Sequence, residues 1–513
     1  MKKLKIPYRE IPYFSNFFQD YMNGDVSEEF YNRVPSIDSF ESQIHEKSQQ
    51  DIDRELLTTV IQDQNSSIHL SEKSSKNISL LNDNNTFTIT TGHQLCLFGG
   101  PLYFFYKIIS TINLSISLKK RFPEYNFIPI FWMASEDHDF KEVNNIHLFN
   151  KKYKWISEEE GMVGSFKTKG IDKIIDDIKK DITDLNDLDP LINLLRSSYQ
   201  CETLVESTRF FVNEIFGKYG IITLDASDTR LKRKLIPIMK KDILKNSFYP
   251  LILKDSDNFQ NKYNLQAFYR KINFFRLDHQ KRERIIDPPS EIEINNMPER
   301  FSPNVLMRPL YQELILPNLA YIGGGAEIAY WMQLKSSFKS SNIVFPILFL
   351  RNSVLFIENK DYLKWESLGL EIKDLFSNND ILYRKYLEKI CDFDLNDEVN
   401  KIREVYVNIL EKVKIINNSS MNQFVESEMK KQIKLISKIE KKHLKAMKHK
   451  HKSSIKTINK IKEKLFPENT LQERVDNIFS CYLNHEKEFI DLLFKEINVL
   501  DSNFLILFSE NKE

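Results

Sequence analysis

Residues 86–135 read TFTITTGHQLCLFGGPLYFFYKIISTINLSISLKKRFPEYNFIPIFWMAS, and the changes of period along them decide the fold. Thr86–Thr91 is an alternating, β-branched run, the pattern of a strand. Gly92-His93-Gln94 and Phe98-Gly99-Gly100-Pro101 follow as turn material, and Leu102 to about Leu118 is apolar with helical spacing. Pro101 suits a first helical position, where the N–H it lacks would have no partner. After Pro123, Phe127–Ser135 is apolar nearly throughout, as a strand buried on both faces must be. Strand, glycine turn, helix and buried strand form one βαβ unit.

A second unit lies about 230 residues further on. Leu319–Ile322 is a short strand, Gly323-Gly324-Gly325 the turn, Glu327–Phe338 the helix, and Ile343–Leu350 the next buried strand. Between them Lys218–Asp225 is another candidate strand, with a helix from Asp228. The expected fold class is α/β, a Rossmann-like open parallel sheet with connecting insertions at about 151–219 and 226–303. The first 80 residues read as helices joined by polar turns, and Gln62–Asn85 as a connection.

From Asn396 the texture changes. Ile402, Tyr406, Ile409, Val413 and Ile416 step by four and three, a coiled-coil seam. Asn417-Asn418-Ser419-Ser420 interrupts it, Ser420 and Gln423 have capping-box spacing, and a second long helix runs to Pro467. The expected organisation is a catalytic core over 1–395, an antiparallel α-helical coiled-coil arm over 396–465, and C-terminal helices over 466–513 that pack back on the core.

Composition narrows the functional classes. The chain has 513 residues, 73 Lys plus Arg against 72 Asp plus Glu, and a formal charge of +1, so no general surface for nucleic acid or anionic membrane is expected. The four cysteines, Cys96, Cys201, Cys391 and Cys481, are far apart and form no C-x-x-C pair, which fits a reducing compartment and gives no zinc spacing. No apolar run approaches the roughly 20 residues of a membrane span. The N-terminus has no signal-peptide core, so the expected location is cytoplasmic.

In an open α/β sheet ligands bind beyond the carboxyl ends of the strands, which selects four segments. Gly92–Pro101 offers Gly92, His93, Gln94, Gly99 and Gly100 before a helix N-terminus, a place that favours phosphate or carboxylate; the alternative is a tight turn with a satisfied histidine. Glu136-Asp137-His138-Asp139 sets three carboxylates about one imidazole, a composition for acid/base work; it also fits an acid-rich helix start, or a metal site with His147. Gly323, Gly324, Gly325 and Glu327 make a second anion-favouring turn, with Tyr330 and Trp331 placed to stack on a flat ligand. Arg351 after its strand could grip a carboxylate or close a structural salt bridge. Lys441–Lys452 is a basic run that is either a solvated helix face or a phosphate contact.

TGHQLCLFGGPLYFFYKI, PIFWMASEDHDFKEVN, FSPNVLMRPLYQELILPNLAYIGGGAEIAYW, FPILFLRNS and LQERVDNIF, in this order, resemble the bacillithiol-biosynthesis cysteine-adding enzymes. These are cysteine ligases whose core is related to class I aminoacyl-tRNA synthetases. The resemblance spans essentially the whole chain. It implies the last step of bacillithiol synthesis, the joining of the cysteine carboxyl to the amine of glucosaminyl malate through an activated cysteine. It also implies ATP with magnesium, a homodimer to which the arm contributes, and small-molecule substrates. On it His93, Asp137, His138 and Asp139 are the catalytic candidates. Gly92, Gln94, Gly99, Gly100, Glu136, Asn304, Arg308, Gly323, Gly324, Gly325, Glu327, Tyr330, Trp331 and Arg351 are the binding candidates. The His-x-Gly-His turn of the synthetases is represented by Gly92-His93-Gln94 with one histidine, and the zinc ligands of related ligases are missing. Two alternatives remain: another adenylate-forming amino-acid ligase acting on a small amine, and a non-catalytic coiled-coil ligand-binding scaffold.

Overall fold

The computed structural model describes residues 2–182, 188–278, 281–390, 395–414, 419–481 and 488–509. Cys391, Ile416, Asn417 and Asn418 lie outside them. The chain divides into two compact units, Lys3–Leu355 with Thr470–Leu507, and Met1–Lys2 with Phe356–Asn469 and Phe508–Glu513.

In the first unit, β1 (Lys3–Pro7) precedes four helices, α1 (Asn16–Asn23), α2 (Phe40–Ser48), α3 (Arg54–Gln64) and α4 (Glu72–Leu80). Then come β2 (Thr86–His93), α5 (Leu102–Arg121) and β3 (Asn126–Met133). The hairpin β4 (Asn145–Leu148) and β5 (Lys151–Lys154) leads through helices to β6 (Ile222–Asp225). An antiparallel sheet follows, β7 (Phe274–Asp278) with β8 (Lys281–Arg284) and β9 (Phe301–Pro303) on either side. The helix Arg308–Ile315 then leads into β10 (Asn318–Gly323) and β11 (Ile347–Leu350). The chain divides within β12 (Val354–Ile357).

Among the described residues five strands form the central sheet in the order β11-β10-β2-β3-β6, every neighbouring pair parallel. Counted in chain order this is 5-4-1-2-3, so the direction of winding reverses between β2 and β10, the switch point where such sheets bind ligands. β2 is buried along all of its length. Its threonines are paired: Thr88 and Thr90 hydroxyls meet Asn318 Oδ1 at 3.2 and 2.8 Å, and Thr91 Oγ1 donates to the Ile322 carbonyl at 2.8 Å. Asn318 in turn donates to Glu313 Oε1 at 2.7 Å, and Lys47 pairs with Glu313 at 3.5 Å. Such a network is tolerated in the core because nearly every polar atom in it has a partner. Phe40 and Ile44 of α2 and Leu114 and Leu118 of α5 share one apolar cluster with Phe87, Ile89, Ile322 and Phe349 of the strands.

Several local expectations change. Residues 62–85 include α3's end and α4, not only a connection, because Ser71 caps α4 and Ile78 buries against the core. Pro101 is the N-cap of α5, one residue before the first helical position. The segment after the glycine triad is two short helices, Gly325–Trp331 and Lys335–Ser340. β11 begins at Ile347, after Pro346, whose ring nitrogen cannot donate to a ladder. The tail is not all helix: β13 (Asn503–Phe508) pairs antiparallel with β1, Lys3 opposite Leu507.

In the second unit Asn396–Lys414 and Ser419–Lys450 are the two long helices of the coiled coil and pack together. The second ends near His451 (φ −101°, ψ 31°), and Lys452–Leu465 continues as a separate helix. Among the described residues no helix is long and apolar enough to cross a membrane.

Candidate functional site

A cavity of about 470 Å³ opens at the switch point. Each strand of the central sheet sends a wall into it from just beyond its carboxyl end. These are Gly92, His93 and Gln94 after β2, Ser135, Glu136 and Asp137 after β3, and Ala226 and Ser227 after β6. Gly324–Glu327 and Tyr330 follow β10, and Arg351 follows β11. Asn304, Arg308, Arg282 and Arg474 come from elsewhere in the chain.

Lys107 and Glu327 tie the two halves of the sheet together. Lys107 Nζ lies 2.5 Å from Glu327 Oε2 and donates to the Gly92 carbonyl at 2.7 Å. Glu327 also accepts from the Gly324 N–H and the Tyr321 hydroxyl, each at 2.8 Å. Burial works against its ionised form, but the Lys107 charge and these donors hold its carboxyl below the usual range. With its oxygens so occupied, Glu327 is a positioning residue.

His93 is 8 % exposed, and burial, with Lys107 nearby, lowers its pKa from 6.5 to about 4. Its ring is neutral at physiological pH. Nδ1 meets the Gln94 carbonyl at 2.9 Å, so that nitrogen carries the proton and Nε2 keeps the lone pair. In that tautomer Nε2 accepts hydrogen bonds and does not donate them.

The acidic cluster is divided. Glu136 is held by Lys232 at 2.7 Å and by the Ser302 hydroxyl at 3.1 Å. Asp137 accepts from Gln94 Nε2 at 2.8 Å and stays a quarter exposed at the cavity wall. His138 and Asp139 do not reach the cavity. His138 is half exposed, its Nδ1 3.2 Å from Arg282, and Asp139 caps the single turn Phe140–Val143 by accepting from Lys141 N at 3.1 Å. A turn after β3, closed by Asp137 N on the Ala134 carbonyl at 3.3 Å, ends the stretch of chain that lines the cavity.

Arg308 is a partly buried lining cation with no carboxylate ion pair among the described residues. It donates to Gln312 Oε1 at 2.9 Å, and its guanidinium lies 5.3 to 6.0 Å from the ring centres of Tyr321, Trp132 and Trp331. Arg351 instead makes a buried pair with Glu473 at 2.8 Å while lining the cavity. The lining carries Lys107, Arg282, Arg308, Arg351 and Arg474 against Glu136, Asp137 and Glu327, an excess of positive charge that favours an anionic ligand.

Other expected contacts are absent from the wall. Gly99 and Gly100 lie in a sealed turn: Asn477 Nδ2 donates to Phe98 O and Gly100 O at 3.0 and 2.5 Å, and Leu102 N donates to Asp476 O at 2.8 Å. The N-terminus of α5 is therefore engaged by protein. Trp331 is fully buried and stacks on Tyr321 at 4.8 Å, so it forms the floor beneath the site. Of the glycine triad, Gly323 and Gly325 are required by packing. A Cβ there would lie 3.0 Å from Ile328 and Tyr321, or 2.9 Å from Phe18. At Gly324 a Cβ would make only an ordinary contact, 3.5 Å from Glu327 Oε2.

Sequence reading missed Lys107, Tyr103, Tyr321, Lys232, Arg282 and Arg474. Only Lys107 left a signal, as a lone cation in the apolar stretch Leu102–Leu118. Among the described residues no group of three or more His, Cys, Asp or Glu could hold a metal ion. Cys96 is buried, which pushes its thiol up to about 12, far from a reactive thiolate. The basic run lies on the coiled coil, where Lys448 pairs with Asp380 at 3.2 Å.

The strand order and the cation-rich cavity at its switch point define a Rossmann-like α/β ligand-binding protein that also carries a coiled-coil domain. Residues 1–352 match the family model "Bacillithiol biosynthesis BshC, N-terminal Rossmann-like domain", and residues 354–509 match "Bacillithiol biosynthesis BshC, C-terminal coiled-coil domain". The chain belongs to the BshC family of bacillithiol biosynthesis. Relatives named "Putative cysteine ligase BshC" include that of Flavobacterium johnsoniae, 38 % identical over 98 % of this chain and 99 % of its own. That of Christiangramia forsetii is 40 % identical over 98 % of both chains. A more distant one, from Bacillus mycoides, is 25 % identical over 97 % of both. A solved structure described as a putative arginyl tRNA synthetase from Campylobacter jejuni aligns over 82 % of this chain and 95 % of its own, at 11 % identity and a TM-score of 0.22, too low to bear on nucleotide use.

Proposed function

We propose that this chain is a ligase that joins the carboxyl of cysteine to the amine of glucosaminyl malate. The observation that carries the reading is Arg308, a partly buried cation with no carboxylate ion pair among the described residues, in a cavity whose lining is positive. Family membership supports it. A carboxylate oxygen is a poor leaving group, so cysteine must be activated. In an adenylate route a cysteine carboxylate oxygen bonds to the α-phosphorus of ATP, and pyrophosphate leaves. The substrate amine then bonds to the carbonyl carbon, AMP departs with the carboxyl oxygen, and one ammonium proton passes to a base.

Arg308 would hold the developing negative charge on phosphate or carboxylate. Asp137, the lining acid with no Lys or Arg ion pair among the described residues, would receive the ammonium and its proton, with neutral His93 offering the Nε2 lone pair. Magnesium would arrive on the phosphates of ATP, which retain much of its hydration. Lys107, Glu327 and Lys232 fix the surrounding walls. The arm shows Val405, Phe424 and Ile439 each more than half exposed, which supports assembly with a second copy, to be measured by sedimentation.

Purified protein with cysteine and glucosaminyl malate, with and without ATP and magnesium, followed by thiol trapping and mass spectrometry, tests the reading. Product that needs ATP and appears with AMP is expected. Product without ATP would replace the adenylate by another activated donor, and no product at all would remove the substrate assignment. In the same assay Asp137→Asn is expected to slow turnover at least tenfold, about 1.4 kcal/mol in the barrier. If other small amines react and glucosaminyl malate does not, a different amino-acid ligase takes its place.

A further inference from the structure

A second cavity, of about 560 Å³, adjoins the first and shares Gly324, Gly325, Ala326, Arg351 and Arg474 with it. No mechanism above uses it. Its walls differ in kind from those of the reaction cavity. No Asp or Glu lines it, whereas Glu136, Asp137 and Glu327 line the other. Of its cations, Lys262 is neutralised by Asp20 at 2.9 Å and Arg351 by Glu473 at 2.8 Å. Arg474 has no ion pair among the described residues and faces both cavities.

The remaining lining is uncharged, with amides and aromatic rings beside small residues and two serines. Among the described residues the side-chain amides of Asn16 and Asn264 make no hydrogen bond to protein, and Gln266 makes only a long one, 3.4 Å, to the Asn264 carbonyl. Tyr263 beside them is fixed by its hydroxyl on Asp20 at 2.8 Å and by its ring against Phe17 at 5.3 Å. Planar amides that can both donate and accept, set around an immobilised ring, match a body that carries many hydroxyls. A cation with no partner matches an acid on that body.

The seam between the cavities is Gly324. Its backbone (φ −82°, ψ 169°) is open to any residue, and a Cβ there would meet only Glu327 Oε2, at 3.5 Å. Neither backbone nor packing requires glycine at this point, unlike its two neighbours. The absent side chain leaves a passage.

We propose that the second cavity is the compartment for the sugar-acid body of the amine substrate, an anionic glycoside whose amine reaches past Gly324 into the reaction cavity. This rests on the ligase reading above and deepens it. The charges orient the substrate: carboxylate toward Arg474, ammonium toward Asp137.

Calorimetric titration of the full chain with glucosaminyl malate and with methyl glucosaminide, which lacks the acid, tests the compartment. Arg474→Gln is expected to weaken glucosaminyl malate at least tenfold and methyl glucosaminide less than threefold. The double variant Asn264→Ala/Gln266→Ala, at exposed side chains that the fold does not need, should weaken both ligands and raise the KM for glucosaminyl malate at least tenfold more than that for cysteine. Gly324→Val should narrow the passage and lower kcat/KM for the same substrate at least tenfold, its melting temperature reporting that the fold is intact. Binding of glucosaminyl malate that none of the variants alters would overturn the compartment and leave the ligase reading standing. Binding as expected without turnover would overturn the ligase reading alone. No binding to the unaltered chain would overturn the compartment.

Discussion

Two glycine turns leave the central sheet side by side, after β2 and after β10, and they use glycine for opposite reasons. In the first, Gly99 and Gly100 have φ of 80° and 68°, and a Cβ on Gly100 would lie 2.6 Å from Cys96 Cβ. Two carbonyls of that turn are taken by Asn477 and the Leu102 N–H at the start of α5 by the Asp476 carbonyl, and neither Gly99 nor Gly100 lines the cavity. In the second, Gly324 has an ordinary backbone, and a Cβ there would make one ordinary contact, with Glu327 Oε2 at 3.5 Å. One turn needs glycine for conformation, the other for emptiness. A glycine-rich turn at a strand's carboxyl end is therefore evidence of a ligand only when its donors remain free.

The contrast can be broken at several points. The largest effect is expected from Gly100→Ala, which combines a left-handed backbone with a hard contact and should lower stability by about 3 kcal/mol or more in denaturant titration. Stability near that of the unaltered chain would mean that the turn is not sealed as described. At the open end of the same turn, His93 titrates at about 4 in the folded chain and near 6.5 when unfolded. Between these values the unfolded chain binds more protons, so stability falls as pH falls. The loss reaches about 3 kcal/mol below pH 4. His93→Gln should show a shallower decline from pH 6.5 to 4, and parallel curves would mean that His93 is more hydrated than its burial indicates. The smallest effect is expected from Gly324→Ala, within about 0.5 kcal/mol of the unaltered chain, as for a surface substitution. A loss of 2 kcal/mol there would erase the difference between the two turns.

The legible part of the fold was the part with local periodicity. β2, α5, β3 and β10 carry their own pattern, and the long helices of the coiled coil carry theirs. β1 and β13 do not, because each is short and gains its hydrogen bonds from a segment some 500 residues away. The site divides in the same way. Gly92, His93, Gln94, Glu136, Asp137, Asn304, Arg308, Gly324, Gly325, Glu327, Tyr330 and Arg351 lie together on the wall of the switch-point cavity, and their part in the reaction is the proposal made above. His138 and Asp139 are adjacent in sequence to Asp137, yet the tight turn after β3 points them elsewhere. Lys232 and Arg474 had no local mark, since a buried lysine and an exposed one read alike in a helix such as RLKRK.

By itself the sequence determined the strands and helices of the two βαβ units, the long helices of the coiled coil, and to which family the chain belongs. These depend on local period and on motif order, which the chain carries wherever it folds. Only the tertiary structure decided which charges remain unpaired. Arg351 and Arg308 both sit in recognisable motifs, but Glu473 satisfies one and no carboxylate among the described residues pairs with the other. Pairing depends on distances of a few ångströms between residues remote in sequence, and no local pattern encodes them.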